Sequence, residues 1–350
     1  MYNINYMSRN VRWHNQDKLN AITEDITISS LQSFAPVLLQ RSFCESMVHG
    51  NISKNEAIAL LERFEKSIGM KPLCSGQKVK HRCIQFPFNS SHVHRQRGFD
   101  LENPESAIQT SYQINPMVGD IQNKLKMEAT LAVLAHLMQE PCYDQLRTKE
   151  QLGYMVWSGV SKTYDVESLW FVIQSTDRGP AYLDNRVESF IDMFYNEKLK
   201  NMDKETFDSN VQACILTRRK KDTSLYAQSG RFWKEIDATS YKFNRKFIIA
   251  DVLKNVTHED VLSLFKNYIQ LNGKYRSKVS SHIVGKGHSE NDDPLFAVQQ
   301  QNGTVLVGND IVSMDHFKSR CMMYPPVEAD SSGISFSSSD TNESKKENNM

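Results

Sequence analysis

Glu140-Pro141-Cys142-Tyr143-Asp144-Gln145-Leu146-Arg147-Thr148-Lys149-Glu150-Gln151-Leu152-Gly153-Tyr154 lies where one structural pattern gives way to another. Before it, Ile121, Leu125, Leu131, Leu134 and Met138 recur at helical spacing and predict a long helix over 121–140, closed by Pro141. After it, Gly153 supplies a turn, and the runs 154–158 and 169–175 read as neighbouring strands. Arg147 falls at the end of the helical pattern and Tyr154 at the start of the first strand.

Working outward, short strand-like runs precede the helix at 81–86, 93–97 and 108–114, separated by Asn, Ser, Gly and Pro. Helical patterns follow at 181–199, 204–220, 224–237 and 259–271, the last behind a Thr257/Asp260 cap. Val279–Val284 reads as a final strand. Strands, then helices, then a strand imply an α+β fold: a mainly antiparallel sheet with helices packed on one face. Trp157, Trp170 and Trp233 read as core anchors. The first 77 residues differ in texture. They carry helical patterns at 31–48 and behind the Ser53/Glu56 capping box, with Ile58, Leu61, Phe64 and Ile68 on one stripe. A polar linker at 75–80 places a domain boundary near residue 78, giving regions 1–77 and 78–326. Residues 327–350 are rich in Ser, Asn, Glu and Lys and are expected to be disordered, because they hold too little apolar surface to offset chain entropy.

Composition narrows the function. Hydrophobic residues make up 39% of the 350 and charged residues 24%, values of a globular protein with a sizeable core. With 42 basic against 41 acidic residues the formal charge is +1, so no global field steers the chain to nucleic acid. No apolar run approaches the roughly 18 residues of a membrane-spanning helix, and the first residues have neither the basic start nor the apolar core of a signal peptide. Cys44, Cys74, Cys83, Cys142, Cys214 and Cys321 are scattered without a C-x-x-C pair, which reads as reduced thiols in a cytoplasmic setting.

No H-x-x-E-H, H-E-x-x-H, P-loop, G-x-G-x-x-G or G-x-S-x-G occurs. His258-Glu259 has no second histidine at helical spacing. His92 and His94 share one side of a predicted strand without an evident third ligand, so they read as a solvated strand face. No metal site is expected in this chain.

The stretch 140–154 closely resembles the E-P-C-F/Y-(D/N)-x-L-R-T-K-E-Q-L-G-Y segment of insulin-degrading-enzyme-like and nardilysin-like peptidases, in the inverted-zincin (M16) family. His49-Gly50-Asn51-Ile52, Phe171–Ser175, the run from Tyr182 to Phe190, Phe317-Lys318 and Tyr324-Pro325 fall in the same family order, so the resemblance spans about residues 7–326. It implies the end of a third M16-type domain followed by a complete fourth. Zinc, its ligands and the general base are then expected in an amino-terminal half carrying H-x-x-E-H, in the same gene product or a separate chain. The partners implied are that half, peptide substrates and a second copy in a homodimer, with neither nucleic acid nor membrane among them.

The resemblance also gives Arg147 and Tyr154 a supporting catalytic role. Arg147 would present its fork of donors to a substrate carbonyl. Tyr154 would donate its hydroxyl to the oxyanion that develops when the peptide bond is attacked. Read without the resemblance, Arg147 pairs with Asp144 or Glu150 on its own helix and Tyr154 packs on a strand. Arg218, Arg219, Lys220 and Lys221 end a helix, where they favour its C-terminal dipole; by resemblance they bind a polyanion. The chain is therefore expected to be the substrate-binding half of a zinc metalloendopeptidase, inactive by itself. The alternative is a non-catalytic M16-like scaffold.

Overall fold

Six strands make up the main sheet: β1 (Ser90–Arg97), β2 (Ser106–Ile114), β3 (Met155–Thr163), β4 (Val166–Ser175), β5 (Ser277–Val284) and β6 (Thr304–Gly308). They form one sheet in the order β3-β4-β2-β5-β1-β6 in a computed structural model of the chain, which describes residues 2–114, 121–289 and 293–327. The Ser/Asn/Glu/Lys-rich tail lies, apart from Val327, outside the described residues. The pairs β3–β4, β4–β2 and β2–β5 are antiparallel, as the α+β reading expects. The pairs β5–β1 and β1–β6 are parallel. That end of the sheet is parallel because β6 follows β5 through the helix Pro294–Gln301, a crossover of the kind parallel strands require. Val279–Val284 is thus not the final strand: the short run at 304–308 lacks the period-2 alternation that would have revealed it.

One face of the sheet carries the main helical layer: α4 (Ile121–Cys142), α5 (Pro180–Met193), α6 (Lys204–Arg219), α8 (Arg245–Leu253) and α9 (His258–Tyr268). Ile108 and Tyr112 of β2 and Phe171 of β4 meet Leu134 of α4, Phe190 of α5 and Phe265 of α9 in a single core. The opposite face is covered only in part. There α1 (Tyr2–Met7) and α11 (Ile311–Arg320) pack Ile4, Met7 and Met314 against Val279 of β5. Residues 2–10 therefore lie on the sheet of the 78–326 region, tied by Tyr6 Oη donating to Asp315 at 2.6 Å.

Pro141 does not close α4. The helix runs to Cys142 and continues as π turns over Tyr143–Lys149. Proline lacks the N–H that would bond four residues back, and wider turns take up the interruption.

Two buried charge networks fasten helices to the sheet. Lys278 of β5 reaches Asp184 and Glu188 of α5, each at 2.7 Å. Arg245 of α8 reaches Glu128 of α4 at 2.9 Å, Asp165 of the β3–β4 hairpin at 3.1 Å, and Glu235 of α7 (Leu225–Asp237) at 3.0 Å. Lys162 of β3 joins this second network through Glu128 at 2.8 Å and Glu167 at 2.9 Å.

The helices α2 (Ile28–Gln40) and α3 (Lys54–Ile68) contribute no buried residue. Helix α3 has the cap its sequence promises: Ser53 and Glu56 form the capping box, and Gly69 ends it at φ 66°, a left-handed conformation that glycine adopts without strain. The strands Arg41–Ser42 and Lys71–Pro72 flank it as a parallel pair.

Candidate active site

The Arg147–Tyr154 segment is pinned from several sides. Leu146 and Leu152 are buried in the main core, and Leu152 N–H donates to the Leu146 carbonyl at 3.1 Å. Between them the Glu150 carboxylate accepts two bonds from Arg186 of α5, both at 2.7 Å, and one from Gln145 at 2.8 Å. Burial alone would raise the Glu150 pKa; the Arg186 fork and Gln145 outweigh it and hold the group below the ordinary carboxylate value. Gly153 then passes directly against β4. A Cβ there would stand 1.8 Å from the Gln174 carbonyl oxygen, so no other residue fits without moving the strand.

The outcome is a rigid approach to a projecting side chain. Tyr154 is 87% exposed at the foot of β3. Arg147 Nε donates to the Tyr154 carbonyl at 3.3 Å, and its guanidinium carbon lies 5.5 Å from the Tyr154 ring centroid. The local partners considered for Arg147 are taken by others: Asp144 pairs with Lys149 at 2.8 Å, and Glu150 with Arg186. Arg147 and Tyr154 thus stand together at one sheet edge, two donors with little holding them but each other.

Other candidates are placed differently. Arg218 lines a cleft of about 330 Å³ between α4, β3 and α6, whereas Arg219 turns to Asp251 at 2.6 Å, and Lys246 bonds the Lys220 carbonyl at 3.1 Å. Arg218 and Arg219 therefore face separate surroundings, Lys220 and Lys221 being exposed beside them. His92 and His94 are buried, not solvated, because Phe317 of α11 lies 4.9 Å from the His92 ring and β1 is an inner strand of the sheet; His94 bonds Gln96 at 3.1 Å. Among the described residues no three His, Cys, Asp or Glu side chains converge as a metal site would require, so the residues present do not fit a zinc ion. All six cysteines are free thiols.

The tryptophan expectation is corrected for two of three. Trp157 is 60% and Trp233 44% exposed, because β3 is an edge strand and α7 lies at the rim of the helical layer. The Glu150–Arg186 clamp went unread, since nothing in sequence links positions 36 residues apart.

Similarities to known proteins follow the same residues. A family described as "PQQ synthase PqqF-like, C-terminal lobe domain 4" matches residues 133–233. Insulin-degrading enzyme of Bos taurus is 32% identical over 290 residues, covering 82% of this chain and 27% of that protein. A nardilysin-like protein of Arabidopsis thaliana is 28% identical over 316 residues, covering 90% and 30%. The crystal structure of pitrilysin superposes with a TM-score of 0.70 at 20% identity, covering 91% of this chain and 32% of that one. The chain spans about a quarter to a third of the length of the curated relatives it matches. Among the described residues no helix is long and apolar enough to cross a membrane.

Proposed function

The chain belongs to the M16 peptidases, matching the carboxyl-terminal part of members such as insulin-degrading enzyme, and from that premise we propose that it forms the substrate-facing half of a zinc metalloendopeptidase. In this reading zinc and its ligands come from an amino-terminal M16 half, in the same or a separate chain, and the two halves enclose a peptide. Arg147 holds the substrate carbonyl through its planar donors, and Tyr154 gives its hydroxyl to the oxygen that gains charge as the peptide bond is attacked.

The observation that carries this is the exposure of Tyr154 above a loop fixed at Leu146, Glu150, Leu152 and Gly153. A donor set on a rigid support needs no reorganisation as charge develops, which is what makes such groups effective. Removing one donor of this kind typically loses about 3–4 kcal/mol of transition-state stabilisation. Binding of a polyanion by Arg218, Arg219, Lys220 and Lys221 belongs to the same proposal, with Arg218 in its cleft as the first residue to substitute. The test is complementation: peptidase activity should appear when the chain is mixed with a zinc-bearing M16 half, and should fall when Tyr154 becomes Phe.

A further inference from the structure

The sheet face turned away from the main helical layer holds a cavity of about 220 Å³, between β2, β3, β4 and the segment that follows α1. Strand alternation sends Ile108, Tyr112, Val156 and Phe171 into the main core. Gln109 and Ser111 of β2, Ser161 of β3 and Ser168 of β4 therefore turn the other way and line the cavity. Trp170 of β4 lines it too. Its indole lies against Gly159 of β3, where a Cβ would stand 3.0 Å from the ring, so glycine gives the ring its room.

Arg9 is the cation of the lining whose charge is left over. Its backbone is held on both sides: the Ser8 carbonyl accepts from Ile84 N–H at 2.9 Å, and Asn10 N–H donates to the Arg82 carbonyl at 3.1 Å. Its guanidinium carbon lies 4.9 Å from the Tyr164 ring centroid, and Nη1 donates to the Tyr164 hydroxyl at 3.3 Å. Lys162, by contrast, is taken by Glu128 and Glu167. Among the described residues no carboxylate lines the cavity. Burial pushes the bordering Cys83 thiol up to about 12, so no anion forms there at neutral pH. Two shielded atoms, Arg9 Nε and Gln109 Oε1, have no hydrogen-bond partner among the described residues. One is a charged donor and the other an acceptor, and each is costly to leave unmatched.

These groups define a ligand. With Nη1 given to Tyr164, the Nε–Nη2 edge of the guanidinium is the fork left for a carboxylate, and its charge repels an ammonium. Gln109 Oε1 requires an N–H or O–H close to that carboxylate, and the indole of Trp170 favours an apolar group. At about 220 Å³ the cavity is smaller than the roughly 300–1,000 Å³ that encloses a whole small molecule, so it suits one residue at the end of a longer chain. We infer that this cavity binds the carboxyl-terminal residue of a peptide, with its carboxylate on Arg9, its N–H on Gln109 and an apolar side chain against Trp170. Ser161 lies seven residues beyond Tyr154, roughly 23 Å along β3, so an extended peptide needs about seven residues to reach from one to the other. The source of the peptide rests on the substrate-facing reading above; the binding chemistry does not.

The experiment is a fluorescence-anisotropy titration of the full chain, without any zinc-bearing half. The probe is a peptide labelled at its amino end and finishing Gly-Ser-Gly-Leu with a free carboxylate. It should bind at least about tenfold more tightly than the same peptide with an amidated end. Methylating the nitrogen of the final leucine should weaken binding about fivefold, the effect of one neutral hydrogen bond. Arg9→Gln should abolish the preference for acid over amide. Gln109→Leu should keep that preference and remove the effect of N-methylation, and it decides the matter should Arg9→Gln fail to fold. Absence of saturable binding, equal binding of acid and amide, or an acid preference that survives in folded Arg9→Gln overturns the inference. So does an N-methylation effect unchanged by Gln109→Leu. Tighter binding of an amidated peptide with an internal glutamate also overturns it, giving the cavity to a side chain. Binding is read without zinc or turnover, so this result and the Tyr154 activity result stand or fall separately.

Discussion

Arg147 Nε donates to the backbone carbonyl of Tyr154 at 3.3 Å while its guanidinium carbon lies over the same residue's ring, 5.5 Å from the centroid. One arginine thus steadies the tyrosine it is proposed to work beside. A lysine keeps the charge and loses the planar fork. In the complemented enzyme Arg147→Lys should lower kcat about tenfold or more, while the unfolding free energy of the isolated chain changes by no more than about 0.5 kcal/mol, the ordinary range for a surface substitution. Steady-state kinetics and urea denaturation measure the two; unchanged turnover would return Arg147 to a purely local role.

The network at Lys278 gives a stability prediction. Lys278 and Asp184 are 4% and 2% exposed, and burial would push the Asp184 pKa up were Lys278 and His282 not holding it far below the carboxylate range. Lys278→Met leaves Asp184 buried without its cation and should lose about 3–5 kcal/mol by urea denaturation. A loss under about 1 kcal/mol would mean that solvent reaches the pair.

Glu167 sets a pH dependence. Burial raises its pKa from 4.5 to about 6, with Lys162 pulling the other way. The folded state therefore binds this proton more tightly than the unfolded chain. Its contribution is complete below about 4.5 and is lost as pH rises through about 6. Glu167→Gln cannot titrate, so its stability relative to the native chain should improve by about 2 kcal/mol across that window. Urea midpoints measured at intervals from acid to neutral pH test it; a difference that does not vary with pH would refute it.

Phe34 and Leu38 of α2 are 55% and 59% exposed, and α3 exposes Phe64 as well. The isolated chain should self-associate through this surface. Phe34→Glu with Leu38→Lys should raise the monomer fraction in sedimentation while the urea midpoint shifts by less than about 0.5 kcal/mol per site. A large fall in stability would show those side chains to be packed.

The parts legible in sequence were those governed by local rules. The caps of α3 and α9 follow from Ser53/Glu56 and Thr257/Asp260, whose donors and acceptors lie three residues apart. The strands β2 and β4 followed from alternation over Ile108–Ile114 and Leu169–Ser175. Helix α8 was missed because Phe247, Ile248, Ile249, Ala250, Val252 and Leu253 place apolar residues on most sides of its nine-residue run, and no polar face marks the stripe of Arg245, Ile249, Ala250 and Leu253 that is buried. Strand β6 and its parallel pairing depend on β1, more than 200 residues earlier, which no local pattern encodes. At the site, Arg147 and Tyr154 were found by resemblance. What holds them, the Glu150–Arg186 clamp and the closeness of Gly153 to Gln174, is tertiary and became visible only in the fold.

The most direct test of the central claim is complementation with Tyr154→Phe. The chain alone, and a zinc-bearing M16 half alone, should each leave a quenched fluorescent peptide intact, and the mixture should cleave it. Tyr154→Phe removes one hydroxyl from a ring that is already exposed, so folding should be unaffected. Because the lost bond acts mainly in the transition state, kcat should fall roughly 100-fold with KM little changed. Cleavage by the Tyr154→Phe mixture at the unmodified rate would contradict the account.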